Sequence, residues 1–312
     1  MNGRLILLTG ATGFLGAALA EQLLRQGFRV RAPVRQGGRV PTGVEAVQFE
    51  GLERPVQWTP LLSGVDAIVH SAAIAHIGPT VPEDLYRRVN TEATLELARA
   101  AEGRVGRMIF ISSIRAQTGP IASALLDESL TPQPTDAYGR SKLAAEEGLS
   151  KLNLMSASLR PTVIYGPGVK ANMAALLRLA KTRFPLPLGG LSAPRSIVST
   201  ENIASAVLHL LHKPVPLTGP YIVADPRVTS IAVILRVMRI SLGRAPMIFP
   251  FPETLISAFA TVLGARRQWQ TLSGPLAVNT QKLLASGWIP AHEQSDEGIA
   301  RWVRADRAEQ GY

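Results

Sequence analysis

Short apolar runs alternate with amphipathic segments through the first half of the chain. Apolar runs separated by helical patterns are typical of parallel strands covered by helices on both faces. The sequence therefore predicts an α/β fold with a Rossmann-like doubly wound parallel sheet. The predicted strands are Leu5–Leu8, Arg29–Val34, Ala67–His70, Met108–Ile111 and Ala157–Leu159, and the predicted helices between and after them are Phe14–Gln26, Glu83–Ala101 and Tyr138–Leu152.

The pattern changes after residue 165. Proline and glycine become frequent, and helical segments dominate at Ile203–Leu211, Ile231–Leu242, Leu255–Leu263 and Thr280–Ser286. This change predicts a smaller, mostly helical portion that caps the sheet. We expect residues 1–165 plus 196–225 to form the sheet domain, and residues 166–195 plus 226–312 to form the smaller portion.

Composition narrows the class of protein. Of 312 residues, 46% are hydrophobic and 18% are charged, which is a globular composition. The chain has no cysteine, which excludes disulfides and thiolate metal sites and fits a cytoplasmic location. The histidines lack the spacing of metal ligands, so we expect no metal. The most apolar later stretch, Thr254 to Leu263, is about half the length that a membrane-spanning helix needs, so no stable membrane insertion is expected.

The net charge of +10 raises the possibility of anionic partners. These include nucleic acid, a membrane surface and phosphorylated metabolites. The arginines are scattered along the chain and aromatic residues make up only 5%, so no stacking platform accompanies a basic patch. We therefore expect no nucleic acid partner, and a phosphate-bearing small molecule explains part of the charge.

A glycine-rich loop, Thr9-Gly10-Ala11-Thr12-Gly13-Phe14-Leu15-Gly16, joins the first strand to the first helix. Gly10 permits a tight turn, Gly13 lets a pyrophosphate approach the backbone, and Gly16 allows close packing of helix on sheet. The helix N-terminus offers amide hydrogens and a positive dipole to phosphates. In this strand–loop–helix context the motif predicts a dinucleotide site, with Gly10, Thr12, Gly13, Phe14, Leu15 and Gly16 against the cofactor.

The end of the second strand bears on the choice between NAD and NADP. An acidic residue there would bind the ribose hydroxyls of NAD. The run Val30-Arg31-Ala32-Pro33-Val34-Arg35 has no carboxylate, and Arg35, assisted by Arg31, is able to pair with a 2′-phosphate. The sequence therefore favours NADP over NAD, with exposed loop arginines as the simpler alternative.

Tyr138 and Lys142 stand at positions i and i+4, on one face of a predicted helix. A free phenol has a pKa of about 10, and a nearby ammonium group would lower it toward neutrality. Ser113 follows a strand end, from which its hydroxyl is able to hydrogen-bond a reacting oxygen. These three residues are the predicted catalytic group. The neighbouring pair Glu146-Glu147 is most simply interpreted as a solvated helix face.

The chain resembles the extended short-chain dehydrogenases/reductases, in particular the NAD(P)-dependent nucleotide-sugar epimerase/dehydratase family. The resemblance rests on the glycine loop, His70-Ser71-Ala72-Ala73, Asn90-Thr91, Ile111-Ser112-Ser113, Tyr138 through Lys142, and Arg160-Pro161-Thr162-Val163-Ile164-Tyr165-Gly166-Pro167-Gly168. It implies that Tyr138 is the general acid/base, that Lys142 assists it and that Ser113 contacts the substrate oxygen. It also implies cofactor contacts from Ala72, Ala73, Asn90, Ser112, Tyr138, Lys142 and Pro161.

A narrower likeness covers the C-terminal portion. Val169-Lys170-Ala171-Asn172, Arg195-Ser196-Ile197-Val198 and Gly287-Trp288-Ile289-Pro290 resemble segments of bacterial UDP-sugar 4-epimerases and of 4-keto-sugar reductases. By that likeness Asn172 and Arg195 contact the sugar nucleotide, with Arg195 on its phosphates. Ile114-Arg115 stands where dehydratases carry an Asp-Glu pair, so dehydration is not expected.

The sequence thus predicts NAD(P)-dependent hydride transfer at C4 of a nucleotide-linked hexose. Residues 1–165 plus 196–225 would bind NAD(P), and residues 166–195 plus 226–312 the substrate. An epimerase would retain its cofactor, whereas a reductase would exchange it, and both remain open. The alternative from another class is a non-catalytic dinucleotide-sensing or assembly protein on the same fold. The resemblance further implies a homodimer through the helices Glu83–Ala101 and Tyr138–Leu152.

Overall fold

The computed structural model describes residues 3–75, 81–262, 264 and 266–309. Besides the numbered elements, the chain has a π-helical turn at Arg87–Glu92 and a short 3-10 helix at Ile114–Ala116. In chain order the elements are β1 (Leu5–Thr9), α1 (Phe14–Arg25), β2 (Arg29–Val34), β3 (Val44–Gln48), α2 (Trp58–Leu61), β4 (Ala67–His70), α3 (Glu83–Tyr86), α4 (Ala93–Ala101), β5 (Arg107–Ile111), β6 (Ala122–Leu126), α5 (Ala137–Leu149), β7 (Ser156–Pro161), β8 (Val163–Tyr165), α6 (Ala171–Ala180), β9 (Ile197–Ser199), α7 (Thr200–His212), β10 (Gly219–Val223), α8 (Ile231–Ser241), α9 (Glu253–Val262), α10 (Arg266–Ser273), β11 (Leu276–Val278), α11 (Gln281–Ala285) and α12 (Ser295–Glu309).

Seven of the described strands form one parallel sheet in the order β3-β2-β1-β4-β5-β7-β10. The predicted doubly wound parallel sheet is confirmed, and the sequence patterns missed its two edge strands, β3 and β10. The strand order reverses between β1 and β4. In open α/β sheets a ligand binds in the crevice at the carboxyl ends of the strands where this reversal occurs. The fold therefore places the glycine-rich loop, which follows β1, at the expected position for a cofactor.

Helices cover the sheet on both faces, which explains the continuous apolar runs of its inner strands. One face packs against α1, α7 and α11 through residues such as Leu19, Leu23 and Leu210. The opposite face packs against α2, α4 and α5 through residues such as Leu97 and Leu149. Every residue of β1 and β4 is buried.

A third apolar cluster lies outside the sheet. It joins α6, α8 and α12 through residues that include Leu177, Leu235 and Trp302. Two small parallel pairs, β8 with β9 and β6 with β11, lie beside the main sheet. No helix in the described ranges is both long and apolar enough to cross a membrane.

A buried polar network fastens this third cluster to the end of the sheet. The Tyr165 hydroxyl donates to Asp225 Oδ2 at 2.7 Å. Asp225 Oδ1 accepts hydrogen bonds from the Asn202 side-chain amide at 2.7 Å and from the Ser199 backbone amide at 3.1 Å. Burial, followed by the Asp225 carboxylate, raises the pKa of Tyr165 far above its usual value, so the phenol stays protonated and donates.

Replacing Asp225 with alanine should destabilise the fold, because it removes the acceptor shared by Tyr165, Asn202 and Ser199 inside the protein. Unpaired buried donors cost about 1–3 kcal/mol each, so we expect a loss of about 3 kcal/mol in the free energy of unfolding, measured by urea titration. Asp127→Ala is the matched control, because that carboxylate is bonded only to Ser129 and its own loop at the surface. Equal effects of the two substitutions would contradict the structural importance of the network.

Candidate active site

At the crevice between β1 and β4, the backbone of the glycine-rich loop packs directly against the backbone of the loop after β4 and of the first turn of α1. Gly10 has a φ of 76°, and a Cβ there would lie 2.7 Å from the Ala72 nitrogen. A Cβ on Gly16 would lie 2.0 Å from the Gly10 carbonyl oxygen. Neither position has room for any side chain, which accounts for two of the three glycines in the motif.

The exposed side of the same loop faces the crevice mouth. Thr12 and Gly13 are exposed, Phe14 is half-buried, and Leu15 and Gly16 are buried in the core. Gly13 is the N-cap residue of α1, whose first turn contains no acidic residue. This open helix N-terminus fits a pyrophosphate, which would approach Gly13 and the amides that follow it. Leu15 is able to contribute only its backbone, because its side chain packs into the core.

The loop after β4 forms the second wall of the crevice. The Ala72 amide donates to Thr9 Oγ1 at 3.2 Å, and Ala72 and Ala73 are both half-buried. The Asn90 side chain accepts from the Ile74 amide at 2.8 Å and donates to the Ile74 carbonyl at 3.0 Å and to Ser141 Oγ at 3.0 Å. These bonds engage the Asn90 amide with the protein, so Asn90 shapes the wall and links it to α5.

His70, at the end of β4, belongs to the structural support of this wall. Its two ring nitrogens pair with Thr9 Oγ1 at 2.7 Å and Thr94 Oγ1 at 2.9 Å. Burial, with a smaller effect of the Lys142 charge, lowers the pKa of His70 to about 3, so the ring is neutral. His76 lies outside the described residues. Within the described ranges, no group of three or more acidic or histidine side chains is arranged to hold a metal ion.

Arg35, the predicted 2′-phosphate ligand, is exposed at the end of β2. Its Nη1 lies 3.7 Å from Glu53 Oε1, so a carboxylate from the loop after β3 stands beside it. The loop following Arg35 reaches the phosphate loop, because a Cβ on Gly38 would lie 3.1 Å from Thr12 Cγ2. Arg31 is engaged elsewhere: its guanidinium binds Glu45 on β3 at 2.7 Å and the Leu61 and Ser63 carbonyls. The predicted help from Arg31 is therefore not available.

Ser113 and Tyr138 are brought together by the contact between the 3-10 helix and the start of α5. The Ser113 hydroxyl lies near enough to the Tyr138 phenol to lower its pKa. Asp136 caps α5 by accepting from the Gly139 amide at 2.7 Å and forms an ion pair with Arg115. A Cβ on Gly139 would lie 2.2 Å from the Arg115 carbonyl, so this close approach requires glycine. Burial raises the pKa of Tyr138 to about 12, partly opposed by the Ser113 hydroxyl.

Lys142 is buried one helical turn beyond Tyr138. Its Nζ donates to the Ile111 carbonyl at 2.8 Å and lies 4.5 Å from the centre of the Phe110 ring. Burial lowers the pKa of Lys142 to about 7, and the negative charge of Glu146 opposes that shift. The Glu146 carboxylate therefore favours the ammonium form of Lys142.

The expectation that Glu146 is solvated is wrong. Glu146 is buried, and both its oxygens accept hydrogen bonds from the Arg160 guanidinium at 2.5 to 3.1 Å. It also accepts from the Ser112 hydroxyl, while Arg160 reaches Gln117. The Ser112 hydroxyl, a predicted cofactor contact, is thus bonded to protein. The sequence does indicate that Glu146 lies near Lys142, because Glu146 follows Lys142 at the same four-residue spacing by which Lys142 follows Tyr138.

The remaining predicted residues lie on the C-terminal side of the sheet. Pro161 is buried at the end of β7. Asn172 is exposed in the first turn of α6, next to Ala171, whose φ of 54° is a strained conformation for a residue with a side chain. Arg195 is buried, its guanidinium donates to the Leu272 and Gly274 carbonyls, and burial lowers its pKa. Within the described ranges, Arg195 has no carboxylate partner.

A dinucleotide-type crevice beside a Ser-Tyr-Lys group defines the class of enzymes that move hydride at a carbon–oxygen bond. The family model described as the NAD dependent epimerase/dehydratase family matches residues 6–224. The chain belongs to this family. The predicted resemblance to extended short-chain dehydrogenase/reductase enzymes is confirmed.

Individual relatives cover almost the whole chain. A UDP-glucose 4-epimerase of Vibrio cholerae is 33% identical over 96% of this chain and 94% of its own length. A 3-diazoavenalumate denitrifying reductase of a Streptomyces species is 28% identical over 95% and 99%. The crystal structure of the Thermus thermophilus UDP-glucose 4-epimerase in complex with NAD has a TM-score of 0.75 and 25% identity, and the match covers 97% of this chain and 99% of that one.

Replacing Glu146 with glutamine should change the pH dependence of activity. Without the carboxylate charge, the pKa of Lys142 falls further below about 7, so activity that needs the ammonium form is lost at lower pH than in the wild type. The measurement is the pH profile of kcat/KM.

Glu147→Gln is the matched control, because Glu147 is the adjacent carboxylate on the same helix and lies outside the Arg160 pair. Glu146→Asp retains the charge and should restore the wild-type profile in part. An unshifted profile for a folded, cofactor-binding Glu146→Gln variant would contradict a positioning role for Glu146.

Proposed function

We propose that the protein is an NAD-dependent UDP-sugar 4-epimerase, with Ser113, Tyr138 and Lys142 as its catalytic group. The observation that carries the proposal is the position of Ser113 beside Tyr138, where the 3-10 helix packs on α5, one helical turn from the buried Lys142 and at the carboxyl edge of the sheet where the cofactor crevice opens. The epimerase at 33% identity over nearly the full chain supports this reaction over others in the family.

The residues around the crevice fit a dinucleotide. Gly13 and the first turn of α1 would hold the pyrophosphate, Thr12 and Phe14 would flank it, and Ala72 and Ala73 would form the opposite wall. When bound, the oxidised cofactor would supply a hydride acceptor and a positive charge that favours the Tyr138 phenolate.

Side chains of the protein would transfer the proton that leaves or joins the sugar O4 oxygen. Tyr138 Oη would exchange a proton with the O4 oxygen of the sugar, and Ser113 would hydrogen-bond the same oxygen and orient it. The Lys142 ammonium would lower the Tyr138 pKa from the value of about 12 that burial imposes. Glu146, held by Arg160, would keep Lys142 charged.

Residues 166–195 plus 226–312 would bind the sugar nucleotide, as the sequence predicts, and residues 1–165 plus 196–225 would bind the cofactor. Arg195 is a buried cation among backbone carbonyls without a carboxylate partner in the described ranges, which suits an incoming diphosphate. Asn172 lies beside the strained Ala171, and such strain is often found at ligand-binding positions.

The second candidate is a 4-keto-sugar reductase that exchanges NADPH, and the observation that favours it is Arg35 at the end of β2. Glu53 counts against it, because its carboxylate pairs with Arg35 and would repel a 2′-phosphate. The cytoplasmic location and the homodimer through α3–α4 and α5 remain predictions.

Replacing Tyr138 with phenylalanine should lower kcat for interconversion of UDP-glucose and UDP-galactose by about 10²–10⁴-fold, the usual contribution of a general acid/base. Cofactor binding, measured by fluorescence titration, should be unchanged. Tyr86→Phe is the matched control, because the Tyr86 ring packs edge-on against Tyr138 with 6.3 Å between the ring centres. Undiminished biological activity of Tyr138→Phe would instead support the non-catalytic sensing alternative.

Mass spectrometry of the nucleotide released on denaturation should detect stoichiometric NAD if the protein is an epimerase. Glu53→Gln should then raise the relative affinity for NADPH, because it frees Arg35 from its carboxylate partner, while Arg35→Ala should have the opposite effect. A protein purified without nucleotide, which binds NADPH more tightly than NADH, would support the reductase.

A further inference from the structure

The basic excess of the chain is confined to two segments, 166–195 and 226–275. Together they contain eleven basic residues and one acidic residue, Glu253, so their net charge equals the +10 of the whole chain. The rest of the chain is balanced. The basic residues are Lys170, Arg178, Lys181, Arg183, Arg195, Arg227, Arg236, Arg239, Arg244, Arg266 and Arg267.

The same two segments carry a patch of exposed apolar side chains. We call it the aromatic patch. Phe184 is 76% exposed and Leu255 is 57% exposed, values unusual for large apolar residues. The other members are Ile240, Met247, Phe249 and Phe251.

Hydrogen bonds hold the segment that carries Phe184 beside the segment that carries Met247 and Phe249. The Leu186 amide donates to the Met247 carbonyl at 2.9 Å, and the Phe249 amide donates to the Leu186 carbonyl at 3.1 Å. Met247 and Phe249 point outward while Ile248 between them packs inward, as expected for an extended segment. Arg239, buried beneath, donates to the Phe184 carbonyl at 2.9 Å.

The apolar start of α9 continues this surface. The helix follows the extended segment directly, and its Leu255 amide donates to the Pro252 carbonyl at 3.1 Å. Leu255 is exposed, whereas Ile256 packs against the third apolar cluster. After Glu253 the helix contains no charged residue.

Arginines flank the aromatic patch without acidic partners. Arg183 precedes Phe184, Arg236 lies one turn before Ile240 on α8, and Arg178 is in the last turn of α6. None of these three arginines forms a salt bridge within the described ranges. In the first half of the chain several exposed arginines pair with carboxylates, as in Arg25–Glu21, Arg54–Glu50 and Arg140–Glu83, and the acidic residues there balance the basic ones.

We propose that the aromatic patch and its flanking arginines dock the protein on an anionic lipid surface. Apolar and aromatic side chains enter the interface between headgroups and acyl chains, and unpaired arginines bind the anionic headgroups. A second copy of the chain is a poorer occupant, because it would oppose two surfaces of the same strong positive charge. Nucleic acid is poorer too, since Ile240, Met247 and Leu255 offer no ring for base stacking.

Vesicle flotation tests this docking. The holoenzyme is mixed with vesicles of phosphatidylcholine alone, or of phosphatidylcholine with roughly one third phosphatidylglycerol, an anionic lipid. We expect binding to the anionic vesicles that weakens with added salt, and little binding to phosphatidylcholine. The variant Phe184→Ser/Phe249→Ser/Phe251→Ser should lose binding, and the double variant Arg178→Glu/Arg183→Glu should bind at least about tenfold more weakly.

Two substitutions serve as controls. Ile289→Ser removes an apolar side chain that is 82% exposed, and Arg104→Glu reverses an exposed charge in the first half of the chain. Both should leave vesicle binding unchanged. Because Phe184 is so exposed, Phe184→Ser alone should keep the fold, and retained cofactor binding verifies it.

Three results would overturn the proposal. The first is equal binding to both vesicle types, and the second is an equal loss of binding in the control variants. The third is that the protein does not bind vesicles but instead self-associates or binds single-stranded DNA, and that Phe184→Ser abolishes this binding. The proposal is independent of the proposed function, since epimerase activity on soluble UDP-sugars stands or falls without vesicles.

Discussion

The position of the cofactor crevice is determined by the direct contact between backbone segments at the end of β1. The loop after β1 touches both the loop after β4 and the first turn of α1, with no side chain between them. Gly10 and Gly16 make this possible, and the contact fixes where α1 begins and how its N-terminus points. Since β1 and β4 are neighbours at the reversal of strand order, the same contact sets the position of the crevice on the sheet.

The charge state of Lys142 is influenced by a second, ionic interaction behind α5. Arg160, at the end of β7, and Glu146, on α5, are both buried and satisfy each other. Such a pair adds little net stability, but breaking it leaves an uncompensated charge inside the protein. Here it holds negative charge one turn from Lys142, whose ammonium group burial alone would disfavour. The four-residue spacing places Tyr138, Lys142 and Glu146 on one face of α5, with Glu146 acting on Lys142.

Much of this was accessible from the sequence, for identifiable reasons. Inner strands such as β1 are buried on both faces and show as continuous apolar runs, whereas β3 is a half-exposed edge and shows no such run. The proximity of Ser113, Tyr138 and Lys142 was predictable because helix spacing and strand ends are local features. Glu146 was missed because its partner, Arg160, comes from another element, and a carboxylate next to a second one, Glu147, gives no sign of burial. Glu53 was missed for the same reason, since it reaches Arg35 from the loop after a different strand.

The uneven charge distribution makes the molecule a strong electric dipole. Segments 166–195 and 226–275 carry a net charge equal to the +10 of the whole chain, while the rest is balanced, so an external field exerts a torque that turns these segments toward negative charge. Small anions approaching from solution meet the same gradient and are guided to the side of the molecule where Arg195 lies. Association should therefore be fast at low ionic strength and slow markedly once mobile ions shorten the reach of the field, even where equilibrium affinity depends on buried contacts.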